Sequence, residues 1–208
     1  LIGPLNKKDI NLFNLKKGKE IYKKILKTNS EIALINEQSF SKGLINSYKQ
    51  MGYEKIVMEC NNLFSSNKNW KSSLTKSNQF LVDDNNNKIE VIWTDTNTFQ
   101  YFQRYVHGKI NFKGYLDFLK NYPKKDYFPI YSNDTEIFNY RPGRFKEEGK
   151  ITNDEWYKIE KILKTLQEKY SFISLNKIFN NNKKILKHKN PGNMCPVKKQ
   201  NKYNLSRW

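Results

Sequence analysis

Two stretches of this sequence place carboxylates directly after a short, mostly apolar run. Glu37 follows the apolar residues 33–35 with one asparagine between them, and Asp134 and Glu136 follow residues 127–131. Runs of this length are too short for helices and are typical of buried strands. In parallel α/β sheets, catalytic residues lie at the carboxyl ends of the strands. These side chains could therefore serve as a nucleophile or as a general acid and base.

Each of these positions also has an ordinary structural interpretation. Glu37 precedes a predicted helix, so it could cap that helix or lie on the surface. Asp134 and Glu136 could lie in a solvated loop closed by an Asx turn. Residue type and position alone leave both interpretations open at each site.

The elements around the first site form a predicted βαβ unit. The spacing of apolar residues within 15–28 predicts an amphipathic surface helix, and residues 31–36 predict a strand covered on both faces. A second helix spans residues 44–51 and ends at Gly52, because glycine readily adopts the left-handed conformation of a helix C-cap. Residues 55–60 predict the next buried strand.

The rest of the chain continues this alternation. Residues 79–82 and 88–93 predict a strand pair joined by the turn-rich residues 83–87. A capping box of Thr152 and Glu155 predicts the start of a long helix. Other helices are predicted near 99–105 and 115–119, and residues 180–202 predict a long loop or an extended crossing. The predicted fold class is α/β with a parallel sheet, whose strands lie at 31–36, 55–60, 88–94 and 127–132.

The net charge, the arginine content and the cysteines of the chain indicate which classes of function are possible. The chain has 208 residues and a formal net charge of +18, from 38 Lys and Arg against 20 Asp and Glu, so a basic, non-catalytic domain that binds nucleic acid or an anionic glycan is the alternative function. Only four of the 38 are arginine, the usual phosphate-recognition residue, which weakens that alternative. The two cysteines show no metal-ligand or disulfide pattern, and a cytoplasmic location is the default expectation.

Other chemistries find no support in the sequence. Dinucleotide, P-loop and α/β-hydrolase motifs do not occur, and no cofactor, metal or membrane partner is predicted. His107 and His188 are the only histidines, too few for a metal-dependent deacetylase site with an HxxxH pair. His107 is expected to be a structural or surface residue. The sequence predicts no oligomeric state.

The residues around both carboxylate sites resemble signature regions of glycoside hydrolase family 57. The run Asn36-Glu37-Gln38-Ser39-Phe40 is similar to the family's third region, whose glutamate is the catalytic nucleophile. The run Asp134-Thr135-Glu136-Ile137-Phe138, leading to Arg141-Pro142-Gly143, is similar to the fourth region, which supplies the acid/base aspartate. The resemblance covers roughly residues 31–170.

The resemblance implies a retaining glycoside hydrolase or transglycosylase that acts on α-glycosidic bonds of a glucan or related polysaccharide. Glu37 would be the nucleophile, Asp134 the acid/base and Glu136 a supporting carboxylate, since retention needs two carboxyl groups about 5–5.5 Å apart. The implied fold is part of a (β/α)7-type barrel. Residues 1–179 would form its middle and C-terminal part, residues 180–208 would form a basic loop leading to a further segment, and this part alone is expected to be inactive.

The sequence departs from the family pattern in three ways. The family's early His-x-His-Gln-Pro-type strand and its second region do not occur, Thr135 stands where glycine is usual, and Asn36 and Gln38 differ from the best-known glucan-processing members. The glycan is therefore not predicted. The predicted substrate contacts are Trp93, Tyr131, Tyr140 and Arg141, and each aromatic is alternatively an ordinary core or rim residue.

Overall fold

The computed structural model describes residues 3–35, 39–60, 79–122, 138, 152–178 and 184–187. The chain divides into two compact units, residues 1–94 with 179–208 (unit 1) and residues 95–178 (unit 2). The helices are α1 (Lys8–Leu26), α2 (Leu44–Gln50), α3 (Thr96–Val106), α4 (Phe112–Asn121) and α5 (Glu155–Gln167). The strands are β1 (Ile32–Leu34), β2 (Lys55–Glu59), β3 (Gln79–Val82), β4 (Lys88–Thr94) and β5 (Lys184–Lys187).

Unit 1 is built on a five-stranded sheet in the order β1-β2-β4-β3-β5. β1, β2 and β4 are parallel, β3 is antiparallel to β4, and β5 is parallel to β3. The prediction of an α/β fold with a mostly parallel sheet is therefore confirmed, and three of the four predicted parallel strands lie side by side. The fourth, at residues 127–132, lies outside the described residues.

The β3–β4 hairpin follows from the chemistry of its turn. The Asp83 carboxylate accepts hydrogen bonds from the backbone N–H groups of Asn85 and Asn87, at 2.9 and 2.8 Å. Asn86 adopts a left-handed φ of 59°, which asparagine tolerates better than most residues. The turn thereby joins adjacent antiparallel strands, as its sequence predicts.

A mainly aliphatic core lies on the sheet of unit 1. The apolar runs of β2 and β4 are almost completely buried, as expected of parallel strands covered on both faces. The cluster consists of Ile35, Phe40, Ile45, Ile56, Met58, Cys60, Leu81, Ile89, Val91 and Trp93.

Two predictions about unit 1 need correction, and a third is confirmed. β1 is the terminal strand of the described sheet, and it is not covered on both faces, because Leu34 is 62% exposed. The segment 180–202, predicted to be a long loop or an extended crossing, contains the strand β5, because backbone pairing with β3 stabilises a segment whose side-chain pattern is a weak strand signal. The Gly52 cap after α2 is confirmed by its φ of 74°.

Unit 2 contains α3, α4 and α5 around an aromatic core. Its buried residues are Phe102, Tyr105, Val106, Tyr115, Phe138, Ile162 and Leu166. The N-cap of α4 is Asn111, whose side chain accepts a hydrogen bond from the Gly114 N–H at 2.8 Å. The predicted capping box of Thr152 and Glu155 is wrong, because α5 begins at Glu155 with Asp154 as its N-cap, and Glu155 is buried at the first helical position.

Candidate active site at the carboxyl edge of the parallel strands

The three parallel strands of unit 1 end at one edge of the sheet. Leu34 of β1 is in register with Val57 of β2, and the Ile35 N–H extends that pairing by donating to the Val57 carbonyl at 3.0 Å. At the neighbouring pair, Glu59 of β2 is in register with Thr94 of β4. The carboxyl ends of β1, β2 and β4 therefore lie side by side at one end of these strands, which we call the carboxyl edge.

Glu59 is a carboxylate at this edge that sequence reasoning missed. It is the last residue of β2 and only 7% exposed, and its register partner Thr94 is also buried. A carboxylate is costly to bury, and such positions are often functional. The signal was present in the sequence, since Glu59 ends a buried strand by the same rule that drew attention to Glu37.

Asp95, the residue after β4, is held in a structural role. Its side chain accepts a hydrogen bond from the Asn97 N–H at 2.8 Å and so forms the N-cap of α3. The Tyr122 hydroxyl donates to its other carboxylate oxygen at 2.6 Å. Both oxygens of Asp95 are therefore engaged in positioning α3 and the end of α4.

Trp93 does not have the open ring face that its predicted role as a sugar platform requires. It is 1% exposed and packs in the core of unit 1, in register with Met58 of β2. The strand is buried along its whole length after Lys88, so neither of its faces opens to solvent. The alternative interpretation of Trp93 as a core residue therefore describes its position.

His107 is also a structural residue. It follows α3 as its C-cap, is buried, and packs edge-on against Phe138 with ring centroids 5.5 Å apart. This agrees with one of the two roles that the sequence predicts for it.

The remaining predicted site residues lie outside the described part of the chain. They are Glu37, Asp134, Glu136, Tyr131, Tyr140 and Arg141. Their roles therefore stay predictions.

The described residues give two further findings. Nowhere among them do three or more His, Cys, Asp and Glu side chains come together as a group that could hold a metal ion. Every helix in these same stretches is too short or too polar to cross a bilayer.

A solved structure has a similar fold. The crystal structure of 4-alpha-glucanotransferase from Thermococcus litoralis matches with a TM-score of 0.62 and 14% sequence identity, over 88% of this chain and 26% of that chain. This chain thus spans about a quarter of the length of that enzyme. No protein-family model and no curated protein matches the sequence. At this identity the likeness establishes a shared fold.

Proposed function

We propose that the protein is a carbohydrate-active enzyme, a retaining glycoside hydrolase or transglycosylase acting on α-glycosidic bonds of a glucan or related polysaccharide. The observation that carries the proposal is the parallel set β1, β2 and β4, whose first strand ends three residues before Glu37. The fold likeness to a 4-alpha-glucanotransferase supports it, as does the resemblance of the residues around Glu37 and Asp134 to family 57. We further propose that the sheet is part of a (β/α)7-type barrel.

The proposed mechanism uses two carboxyl groups in two steps. Glu37 attacks the anomeric carbon, the glycosidic C–O bond breaks, and the leaving oxygen takes the proton of Asp134. Asp134 then removes a proton from water or from an acceptor sugar hydroxyl, whose oxygen attacks the anomeric carbon and releases the Glu37 carboxylate. Water gives hydrolysis and a sugar gives transfer, with retention in both cases.

Other residues would support these two steps. Glu136 is proposed as a carboxylate that tunes Asp134, and Tyr131, Tyr140 and Arg141 as substrate contacts. Glu59 adds a buried carboxylate at the carboxyl edge, two strand positions beyond the Val57 that pairs with β1. Its proposed role is to position other groups at this edge.

Kinetics of matched variants in the complete protein tests the assignment. Glu37→Gln should abolish turnover, because glutamine cannot form the covalent glycosyl intermediate. Asp134→Asn should slow substrates with poor leaving groups most, because good leaving groups need little protonation. Glu59→Gln tests the proposed positioning role and should lower turnover without abolishing it. Near-normal turnover of Glu37→Gln or Asp134→Asn would contradict the role of that residue.

The net charge of +18 favours a second candidate function, a basic domain that binds nucleic acid or an anionic glycan. A salt titration separates the two functions, since polyanion contacts weaken steeply with salt and contacts to neutral sugars do not. The enzyme proposal predicts salt-insensitive binding of a neutral maltooligosaccharide. Tight, salt-sensitive binding of DNA without any affinity for the sugar would favour the second function.

A further inference from the structure

The carboxyl-terminal half of α1 carries a patch of exposed apolar side chains. Ile21 and Ile25 are 54% and 68% exposed, and Tyr22 and Leu26 beside them are also more than half exposed. Residues four apart are neighbours on a helix surface, so Ile21 with Ile25 and Tyr22 with Leu26 form two adjacent rows. We call these four residues the α1 patch. A contiguous exposed patch of this kind marks an interaction surface, whereas single exposed apolar residues are ordinary.

A cluster of lysines accompanies the α1 patch. Residues 16–27 contain one acidic residue, Glu20, and six lysines, which are Lys16, Lys17, Lys19, Lys23, Lys24 and Lys27. Lys17 pairs with Glu20, with 2.7 Å between the ammonium and the carboxylate. Within the described part of the chain, Lys23, Lys24 and Lys27 form no ion pair. The α1 patch therefore lies in a region of uncompensated positive charge.

The packing of α1 directs Ile21 and Ile25 away from the rest of unit 1. The Lys19 ammonium donates to the Met51 carbonyl at 2.8 Å and lies 4.5 Å from the centroid of the Tyr53 ring. Lys19 thus marks the side of the helix that is anchored. At 3.6 residues per turn, Ile21 and Ile25 lie about 120–160° from Lys19 around the helix axis. The helix therefore presents these two side chains without any rearrangement.

The combination of apolar side chains and lysines fits an anionic lipid bilayer. A basic amphipathic helix lies in the plane of a membrane, where its apolar side chains enter the boundary between headgroups and acyl chains. Clusters of four to eight basic residues on such a helix bind anionic headgroups, and residues 16–27 supply six.

Other occupants fit the α1 patch less well. A nucleic acid would contact the lysines and leave the isoleucines in water. A symmetric dimer formed through the patch would bring two lysine clusters together, which charge repulsion opposes. A bilayer with anionic lipids uses both kinds of side chain at once.

We infer that the α1 patch and its lysines form a docking surface for an anionic lipid bilayer. Ile21 and Ile25 insert below the headgroups, and Lys23 and Lys24 contact the lipid phosphates. The sequence predicts no membrane partner, and the exposure of the patch, which only the structure shows, is the reason for the inference. It goes beyond the proposed glycosidase chemistry and does not depend on it.

Vesicle flotation of the 208-residue chain tests this inference. The probe is phosphatidylcholine vesicles that contain about one-third phosphatidylglycerol, and pure phosphatidylcholine vesicles are the lipid control. One double variant, Ile21→Gln with Ile25→Gln, removes the apolar contact, and a second, Lys23→Gln with Lys24→Gln, removes charge. The matched control is Tyr157→Gln with Ile173→Gln, which replaces two similarly exposed apolar residues of unit 2.

The unchanged chain should bind the anionic vesicles at least about tenfold more tightly than the neutral ones. Each α1 double variant should weaken that binding by at least about tenfold, and the unit 2 control should not change it. Ile21→Leu with Ile25→Leu should bind like the unchanged chain, because it keeps the apolar surface.

Three results would overturn the inference. The first is a chain that does not float with anionic vesicles. The second is unchanged binding by the isoleucine-to-glutamine variant, because the binding would then be electrostatic alone, as it would be to DNA. The third is a dimer, detected by analytical ultracentrifugation, that the same variant dissociates, because the patch would then bind a second copy of the chain.

Discussion

The two units of the molecule are organised by different forces. In unit 1, backbone ladders hold parallel strands whose buried side chains are mainly aliphatic. In unit 2, helices are held by aromatic rings, such as the stacked pair Tyr101 and Phe118 with centroids 4.0 Å apart. Backbone hydrogen bonds between parallel strands bring the carboxyl ends of the strands together whatever side chains are present there. In an aromatic cluster, by contrast, the side chains themselves make the packing contacts.

Polar side chains accordingly occupy different positions in the two units. In unit 2, Asp95 caps a helix and bonds Tyr122, and His107 packs on Phe138. In unit 1, Glu59 stands at the end of a strand, and the chain enters the segment containing Glu37 from the end of β1. Each of the following variants tests one part of this contrast between the two units.

Trp93→Ala should have the largest effect on stability. Trp93 is part of the core of unit 1, so its removal should cost about 3–5 kcal/mol of unfolding free energy. Trp93→Phe should cost clearly less, because it keeps most of the buried surface. Urea denaturation measures both, and a stable Trp93→Ala protein would show that Trp93 is not a core residue.

Glu90→Ala should have the next largest effect. Glu90 is buried in β4 and forms an ion pair with Lys55 of β2, with 3.4 Å between the Lys55 ammonium and the Glu90 carboxylate. Because both side chains are mostly buried, the loss should be about 1–3 kcal/mol. A double-mutant cycle with Lys55→Ala measures the coupling, and zero coupling would show that backbone and apolar contacts alone hold β2 to β4.

Asp95→Ala should destabilise unit 2 by about 1–2 kcal/mol, through loss of the α3 N-cap. Asp95→Asn is the matched control, because asparagine also caps helices and should recover most of the loss. Tyr122→Phe isolates the hydroxyl bond to Asp95. If Asp95→Ala left stability unchanged, the N-cap of α3 would not contribute to the stability of unit 2.

The smallest effect on the free energy of unfolding is expected for Tyr115→Phe. The sign of this change shows whether the hydroxyl has a hydrogen-bond partner. The Tyr115 hydroxyl is buried in the aromatic core without a hydrogen-bond partner among the described residues, and burial raises the pKa of this phenol. Removing it should leave stability unchanged or raise it by about 1 kcal/mol. Thermal unfolding measures the change, and a clear loss of stability would show that the hydroxyl has a partner.

The predictions from sequence were correct where residues within a few positions of one another determine the conformation. The apolar runs of β2 and β4, the Asp83 turn and the Gly52 cap are each determined within a few residues, and the structure has all of them. These signals were sufficient to predict a mostly parallel sheet and an α/β fold.

The errors arose where the conformation or burial of a residue depends on contacts with residues that are far away in sequence. β5 owes its strand conformation to β3, about a hundred residues away in sequence, and the exposure of Leu34 depends on which elements pack on that face of β1. Trp93 is aromatic and near a strand end, as a sugar platform would be, but only the sheet shows that both sides of it are covered. At the candidate site Glu59 is the exception, because its position after the apolar run of β2 is visible in the sequence.

The central claim is that Glu37, three residues after the end of β1, is the nucleophile of a retaining glycosidase or transglycosylase reaction. The most direct measurement is mass spectrometry of the complete protein after incubation with a fluorinated α-glucosyl fluoride, which forms the glycosyl intermediate faster than it decays. The account predicts one added sugar on the peptide that contains Glu37, and no addition in Glu37→Gln. A protein that turns over the substrate without this adduct, or that carries the sugar on another residue, would contradict the claim.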